Sequence, residues 1–209
     1  MTILLVHGLG RTPASLWRLS RALQRAGHRT MLVGYLAAAE SWAQIQARLR
    51  QRLELVARSG APYAVVGHSL GGLLARATLH DWPATLPPPR HVVMLGTPSA
   101  TPRLARRFHR FLPYRLALGE CGQLLADPGF FEALPPAPVP CTVIAGTRGW
   151  RGARGPFRGE PNDGIVAVEE ARPPVGVALL EVRASHTFMM DHPDVRRAVL
   201  ALLASPEGA

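Results

Sequence analysis

Lysine is absent from the sequence, so all 24 of its basic residues are arginine. Cysteine is scarce: Cys121 and Cys141 are the only two, and without CxxC spacing they exclude a disulfide framework. No group of histidines, cysteines or carboxylates has metal-ligand spacing, so we expect no bound metal. No apolar run approaches the ~18–20 residues that span a bilayer, and residues 1–6 lack the basic start of a signal peptide. These absences favour a globular protein of the cytoplasm.

The remaining composition allows a substantial core. Hydrophobic residues make up 47% of the 209 residues and charged residues 18%, which is typical of folded rather than disordered chains. A chain of this length is typical of one α/β domain, which we assign to residues 1–209. The formal net charge is +10, so anionic surfaces of any kind are favoured partners.

Short apolar runs alternate with stretches of helical periodicity along the chain. The apolar runs predict strands at residues 2–6, 29–34, 63–66, 91–95, 141–145 and 177–183. The helical periodicity predicts helices at residues 13–26, 41–58, 70–81 and 191–204. This alternation predicts a three-layer α/β fold, a mostly parallel six-stranded sheet with helices on both faces. Because such sheets bind ligands at the carboxyl ends of their strands, the residues after each strand are the candidates for function.

The third strand runs directly into Gly67-His-Ser-Leu-Gly71, a GxSxG pattern between a strand and a helix. This strand–turn–helix setting exposes the central serine, while the two glycines relieve the steric conflict of the sharp turn. A purely structural glycine-rich turn is the alternative. The pattern in this setting predicts that Ser69 is a nucleophile.

A serine nucleophile needs a histidine as its base and a carboxylate that orients the histidine. His186 follows the last predicted strand, and it therefore lies at the sheet edge that also carries Ser69. His192 is the alternative, but Pro193 after it favours a capping position at the start of the last helix. We therefore predict that His186 is the base.

Few carboxylates lie between the predicted nucleophile and base. Asp163 belongs to the tight turn Asn162-Asp-Gly-Ile-Val166, although Asn-Asp-Gly is also a common plain turn. Glu160 lies among arginines and glycines on the same connection, residues 147–172, and Asp191 comes only after the histidine. We predict that Asp163 is the acid and that residues 147–172 form the acid-bearing loop.

The first strand ends in His7-Gly-Leu-Gly10. An acyl-transfer enzyme stabilises the developing oxyanion with fixed backbone donors. The N–H of Leu70, which follows the nucleophile, is one candidate donor, and the N–H of Leu9 in the turn after the first strand is the other.

Five segments occur together in the order found in the α/β-hydrolase superfamily, and the chain resembles its small bacterial lipases and esterases over nearly its whole length. They are His7-Gly-Leu-Gly, Gly67-His-Ser-Leu-Gly-Gly72, Gly96-Thr-Pro98, Asn162-Asp-Gly-Ile-Val166 and Ser185-His186. The resemblance implies a Ser–Asp–His triad of Ser69, Asp163 and His186, with Leu9 and Leu70 as oxyanion donors, and it implies no cofactor.

Arginines are concentrated in two connections that are long for this architecture, residues 99–139 and 147–172. Leu104, Phe108, Phe111 and Leu112 recur at helical spacing, which predicts an amphipathic helix within a lid- or cap-like insertion at 99–139. An ordinary solvated surface is one interpretation of the charge. The other is a cationic mouth that contacts anionic lipid or accepts an acidic acyl substrate. The few aromatic residues argue against nucleic acid.

The sequence thus predicts a carboxylic ester hydrolase that acts on small-molecule or lipid esters through an acyl-enzyme, without a cofactor. Two alternatives stay open. The same triad cleaves thioesters or amides in other enzymes, and a non-catalytic protein can retain the fold as a binding module.

Overall fold

A computed structural model describes residues 1–204. Its strands form one sheet in the order β2-β1-β3-β4-β5-β6, and every neighbouring pair is parallel. The predicted α/β sheet is confirmed, and each predicted strand lies within a few residues of its observed bounds. These bounds are β1 (Thr2–Val6), β2 (Arg29–Val33), β3 (Tyr63–His68), β4 (Val92–Leu95), β5 (Cys141–Gly146) and β6 (Ala178–Val182).

Helices cover both faces of the sheet because successive strand residues point to opposite sides. In β1, Ile3 and Leu5 belong to one apolar cluster, whereas Leu4 and Val6 belong to another. The first cluster is completed by helices α1 (Trp17–Arg25) and α8 (Pro193–Leu203), and the second by α2 (Trp42–Ala57) and α3 (Leu70–His80). The three-layer arrangement predicted from the alternating pattern is therefore present.

The helix predicted at residues 13–26 begins differently. Residues 13–16 form a 3₁₀ turn, and the α-helix starts only at Trp17. Pro13 stands at the first position of that turn, where a missing N–H removes no hydrogen bond. The last helix begins at Pro193 for the same reason, with His192 as its N-cap.

The connection at 99–139 contains three short helices, α4 (Arg103–Phe108), α5 (Leu112–Leu124) and α6 (Pro128–Ala133). The prediction of one amphipathic helix across residues 104–112 is wrong, because the chain breaks between α4 and α5. Pro113 is the physical reason, since it lacks the N–H that would continue α4 by bonding to the His109 carbonyl. The backbone is extended at Phe111, the N-cap of α5. Phe111 and Leu112 are consequently exposed by 58% and 62% instead of lying on a buried stripe.

Two side chains fix the connection at 147–172, which ends in the short helix α7 (Val168–Ala171). The Asn162 amide accepts hydrogen bonds from the N–H groups of Trp150 and Gly164 and donates to the Trp150 carbonyl. Arg103 at the start of α4 donates to the buried carboxylate of Glu170 at 2.8 Å, which ties the two long connections together. Within residues 1–204, no helix combines the length and the apolar character needed to cross a membrane.

Candidate active site

Ser69 lies at the sharp turn between β3 and α3. Its φ of 51° and ψ of −115° fall in a region that residues with a Cβ rarely adopt. Such backbone costs about 1–3 kcal/mol and persists only where the surroundings impose it. Here the Ser69 N–H donates to the Leu95 carbonyl at 2.8 Å, and the Thr97 hydroxyl donates to the Ser69 carbonyl at 3.0 Å. The strained turn directs the serine away from both elements that it joins.

The glycines on either side of this turn allow strand and helix to approach closely. A Cβ on Gly67 would lie 2.5 Å from the Gly71 carbonyl carbon, and a Cβ on Gly71 would lie 2.3 Å from the Val6 carbonyl oxygen. Both distances are shorter than real Cβ contacts. The spacing of the GxSxG pattern is therefore imposed by the packing of β1, β3 and α3.

The turn after β1 is held by Tyr35. Its hydroxyl donates to the His7 carbonyl at 2.6 Å, and its N–H donates to His7 Nε2 at 3.3 Å. The two rings also stack with their centroids 4.0 Å apart. Because His7 Nε2 accepts, the ring proton lies on Nδ1, which faces the Gly8 carbonyl at 2.9 Å. Burial lowers the pKa of His7 and favours this neutral form.

The turn after β1 and the start of α3 present the two predicted oxyanion donors. Leu9 lines the same cavity as Ser69, and Leu70 is the first residue of α3. In the described part of the chain, neither backbone N–H donates to another group. Two free amides at this position leave hydrogen bonds available for a ligand oxygen.

Asp163 and His186 form a buried pair. His186 Nδ1 lies 2.7 Å from Asp163 Oδ2, and the His186 N–H donates to the Asp163 carbonyl at 2.9 Å. Asp163 Oδ1 accepts from the N–H groups of Ile165 at 2.9 Å and Val166 at 2.7 Å. Gly96 lies directly against the pair, because a Cβ there would be 3.0 Å from His186 Nδ1. The carboxylate is thus fixed at both oxygens and holds the proton of the imidazole on Nδ1.

His68 supports His186 from behind. Its Nε2 lies 3.0 Å from the His186 carbonyl, and since that oxygen only accepts, His68 carries its proton on Nε2. Burial, followed by the charge of His186, lowers the pKa of His68 well below its ordinary value of 6.5. His68 is therefore neutral at physiological pH, and we assign it the role of a positioning residue.

A cavity of about 330 Å³ opens in front of Ser69 and His186. This volume lies at the small end of the range for ligand pockets. Its apolar wall is supplied chiefly by the 99–139 connection, through Leu104, Phe108 and Leu118. Such a wall suits an acyl chain better than a polar group.

Ser69 and His186 both line this cavity, but no hydrogen bond joins the serine hydroxyl to the imidazole within residues 1–204. Catalytic hydrogen bonds of this kind are often long in ligand-free enzymes and shorten when substrate binds. The structure therefore brings the Asp–His pair together directly and the serine to the same cavity.

The alternative residues weighed from the sequence lie elsewhere or have other partners. His192 caps α8, with Nδ1 accepting from the Asp194 N–H at 3.3 Å. Glu160 pairs with Arg103 at 2.7 Å at the surface. Asp191 has no hydrogen bond or ion pair through its side chain within residues 1–204. Across the same residues, no group of three or more potential ligands could hold a metal ion.

Sequence reasoning missed three contributors to the site. These are Asn162, which fixes the acid-bearing loop, His68, which positions His186, and Arg11, which lines the cavity. Asn162 directly precedes Asp163 in the turn, and this position beside the predicted acid is the sequence feature that could have indicated its role. Nothing in the sequence pattern distinguishes Arg11 from the other arginines.

The family model described as Thioesterase domain matches residues 2–107, about half of the chain, from β1 to α4. That range contains Leu9, Ser69 and Leu70 but neither Asp163 nor His186. No curated protein matches the chain significantly.

Solved structures share the fold at low sequence identity. The mature lipase BlEst2 of Bacillus licheniformis is 20% identical, with a TM-score of 0.74, and the match covers 97% of this chain and 91% of that one. A structure from the work on the metagenome-derived lipolytic enzymes LipS and LipT is 15% identical, with a TM-score of 0.70 over 96% of this chain and 92% of that one. The metagenomic carboxyl esterase MGS0156 is 20% identical, with a TM-score of 0.65 over 89% and 64%.

Proposed function

The chain belongs to the thioesterase-domain family of α/β-hydrolases, and we propose that it cleaves carboxylic esters by way of Ser69, His186 and Asp163. The observation that supports this most is the 2.7 Å contact between His186 and Asp163 behind a cavity that also contains the strained Ser69. A plain turn at Asp163 needs no buried imidazole against its carboxylate.

In the proposed reaction, Ser69 Oγ attacks the acyl carbonyl while His186 Nε2 takes its proton. The oxyanion accepts hydrogen bonds from the N–H groups of Leu9 and Leu70. The protonated His186, stabilised by Asp163, then gives its proton to the departing alcohol. Water attacks the acyl-enzyme with the same residues in the same roles, which releases the acid and restores the serine.

Hydrolysis of p-nitrophenyl butyrate tests the proposal. We expect Ser69→Ala to lower kcat by on the order of 10⁴-fold or more, because triad members act as a unit. Ser59→Ala, at an exposed position just after α2 and outside the cavity lining, is the matched control and should retain full activity. A fluorophosphonate should label the protein only when Ser69 is present. An unlabelled protein without esterase activity would instead indicate a non-catalytic binding module.

Thioester cleavage is a second candidate, favoured by the family description. The same residues serve both reactions, since the triad does not determine the leaving group. Comparing the hydrolysis of p-nitrophenyl butyrate with that of the thioester S-butyryl-N-acetylcysteamine distinguishes the two reactions. A kcat/KM at least about tenfold higher for the thioester, measured against the spontaneous rate of each, would assign the chain to thioester hydrolysis.

We also propose that the face around the cavity contacts anionic membrane lipid. Large apolar side chains are exposed there, including Phe111 by 58%, Leu112 by 62% and Leu116 by 69%. They flank the apolar wall of the cavity, which suits lipid esters. The same connection and residues 147–172 also carry exposed arginines, namely Arg106, Arg107, Arg110, Arg115, Arg148, Arg151, Arg154 and Arg158. Exposed apolar side chains together with cations match an anionic bilayer surface, where each arginine is worth about 1 kcal/mol.

Vesicle sedimentation tests this contact. We expect binding to phosphatidylglycerol vesicles and little binding to phosphatidylcholine vesicles. Phe111→Ser with Leu112→Ser, or Arg106→Gln with Arg107→Gln, should weaken binding by about tenfold or more. Leu55→Ser, an equally exposed leucine on α2, should leave binding unchanged. Equal binding by all of these proteins would show that the face is ordinary solvated surface.

A further inference from the structure

Arg11 is a cation of the cavity wall that has no anionic partner within the described residues. It lies two positions after Leu9, at the end of the turn that follows β1, and it lines the cavity together with Ser69. Its side chain forms no ion pair or hydrogen bond in residues 1–204, and its Nε is buried without a partner. Other arginines near the cavity are exposed or, like Arg103, already bonded to carboxylates.

A buried, unpaired N–H of a charged guanidinium lowers the stability of the folded protein, because the group has lost its hydration without gaining a partner. The turn does not need this side chain, since Tyr35 holds it through His7. The charge also acts on the site, because it adds to burial in lowering the pKa of both His7 and His68. Arg11 therefore lies close to the rings that surround the oxyanion turn while contributing no contact of its own.

No acidic side chain lines the cavity, so within the described chain nothing there competes for Arg11. The part of the lining that the 99–139 connection supplies, with Leu104, Phe108 and Leu118, is apolar and cannot hold a charge. The terminal nitrogens of Arg11 have no hydrogen bond within residues 1–204, and guanidinium N–H groups are donors that match carboxylate or phosphate oxygens. The cavity is thus divided into an apolar wall and a cationic corner beside the reacting serine.

Resting on the proposed function, we propose that Arg11 is a specificity residue that binds an anionic group of the substrate, a phosphate or a carboxylate, next to the scissile bond. The acyl chain lies along the apolar wall, and the charged group pairs with the guanidinium. Substrates of this kind are esters of a phosphorylated alcohol or esters of an acid that carries a second carboxylate.

Two matched pairs of soluble esters test the assignment and distinguish the sources of the anion. The first pair is monohexanoyl glycerol and monohexanoyl glycerol phosphate, in which the charge is on the leaving alcohol. The second is p-nitrophenyl hexanoate and p-nitrophenyl hydrogen adipate, in which the charge is on the acyl group. We expect the wild-type protein to prefer the anionic member of one pair, which identifies the source.

Arg11→Gln should lower kcat/KM for the anionic member by at least about tenfold more than for the neutral member. Arg11→Lys should retain part of the preference, because it keeps the charge without the fork. Arg18→Gln, an exposed arginine on α1, should change neither rate. Wild-type protein without preference in either pair, or Arg11→Gln with equal losses on both members, would overturn the proposal.

Binding separates this proposal from the proposed reaction. The affinity of hexyl phosphate for the Ser69→Ala protein, measured by calorimetry against hexanol, should fall by about tenfold or more when Arg11→Gln is added. If Arg11→Gln abolishes that affinity while the wild-type protein hydrolyses no ester, the esterase function is refuted and the anion site stands. Unchanged affinity would refute the anion site whatever the hydrolysis shows. The thermal midpoints of the variants check that each is folded.

Discussion

Replacing Asp163 by asparagine tests the electrostatic core of the site with almost no change in shape. Asp163 Oδ1 accepts two backbone N–H groups, from Ile165 and Val166, and Oδ2 faces His186 Nδ1 at 2.7 Å. The asparagine oxygen should take the Oδ1 position, because the amide NH₂ cannot accept those two bonds. The NH₂ then points at His186 Nδ1, which must become an acceptor. The imidazole proton moves to Nε2, and the ring can no longer take a proton from Ser69.

The expected magnitude follows from this tautomer change. A triad carboxylate replaced by its amide lowers kcat by on the order of 10⁴-fold, which corresponds to about 5–6 kcal/mol of transition-state stabilisation. KM should change little, because Asp163 lies behind His186 and does not line the cavity. The free energy of unfolding should fall by only about 1–2 kcal/mol, because the two backbone bonds keep an acceptor but lose its charge.

Initial rates on p-nitrophenyl butyrate, with active sites counted by fluorophosphonate, measure kcat directly, and urea unfolding measures stability. Asp191→Asn is the matched control, since this carboxylate follows His186 in the chain and has no side-chain partner in residues 1–204. A kcat of Asp163→Asn within about tenfold of wild type would contradict this role of Asp163. A larger loss in Asp191→Asn would contradict it too.

Three further changes test how the site is supported. Gly96→Ala places a Cβ against the Asp–His pair and should lower both kcat and the thermal midpoint. Gly60 also has a positive φ but has open space around it, so Gly60→Ala should lower only the thermal midpoint. Rate assays and calorimetry compare the two variants. Because burial lowers the pKa of His68, the unfolded chain binds a proton below pH ~6.5 that the native protein does not. The free energy of unfolding should therefore fall from about pH 7 to about pH 5, and urea titrations should show a smaller fall with pH for His68→Gln. Arg103→Gln removes the ion-pair partner of the buried Glu170 carboxylate and should lower the free energy of unfolding, measured in urea, by about 2 kcal/mol. Arg172→Gln breaks an exposed pair with Glu169 and should lower it by under about 1 kcal/mol.

The parallel sheet could be predicted because its signal is local. Runs such as residues 3–6 and 63–66 are apolar without interruption, as is typical of strands buried on both faces. The break between α4 and α5 was not predicted, because Phe111 and Leu112 fit the apolar period of one continuous helix and Pro113 interrupts it. Periodicity describes which side chains could share a face, whereas a missing N–H determines where the helix can continue.

The sequence alone determined which residues are chemically able to act. Ser69 is marked by its glycines and by the strand before it, and His186 by its place after the last strand, because both signals arise from neighbouring residues. Only the tertiary structure decided which side chains meet. Two contacts join residues that are distant along the chain: Asp163 with His186, and His68 with His186. The structure also shows that the Nε of Arg11 is buried without a partner. Hydrogen bonds and burial depend on distances in space, and those distances are set when six strands align their carboxyl ends at one edge of the sheet.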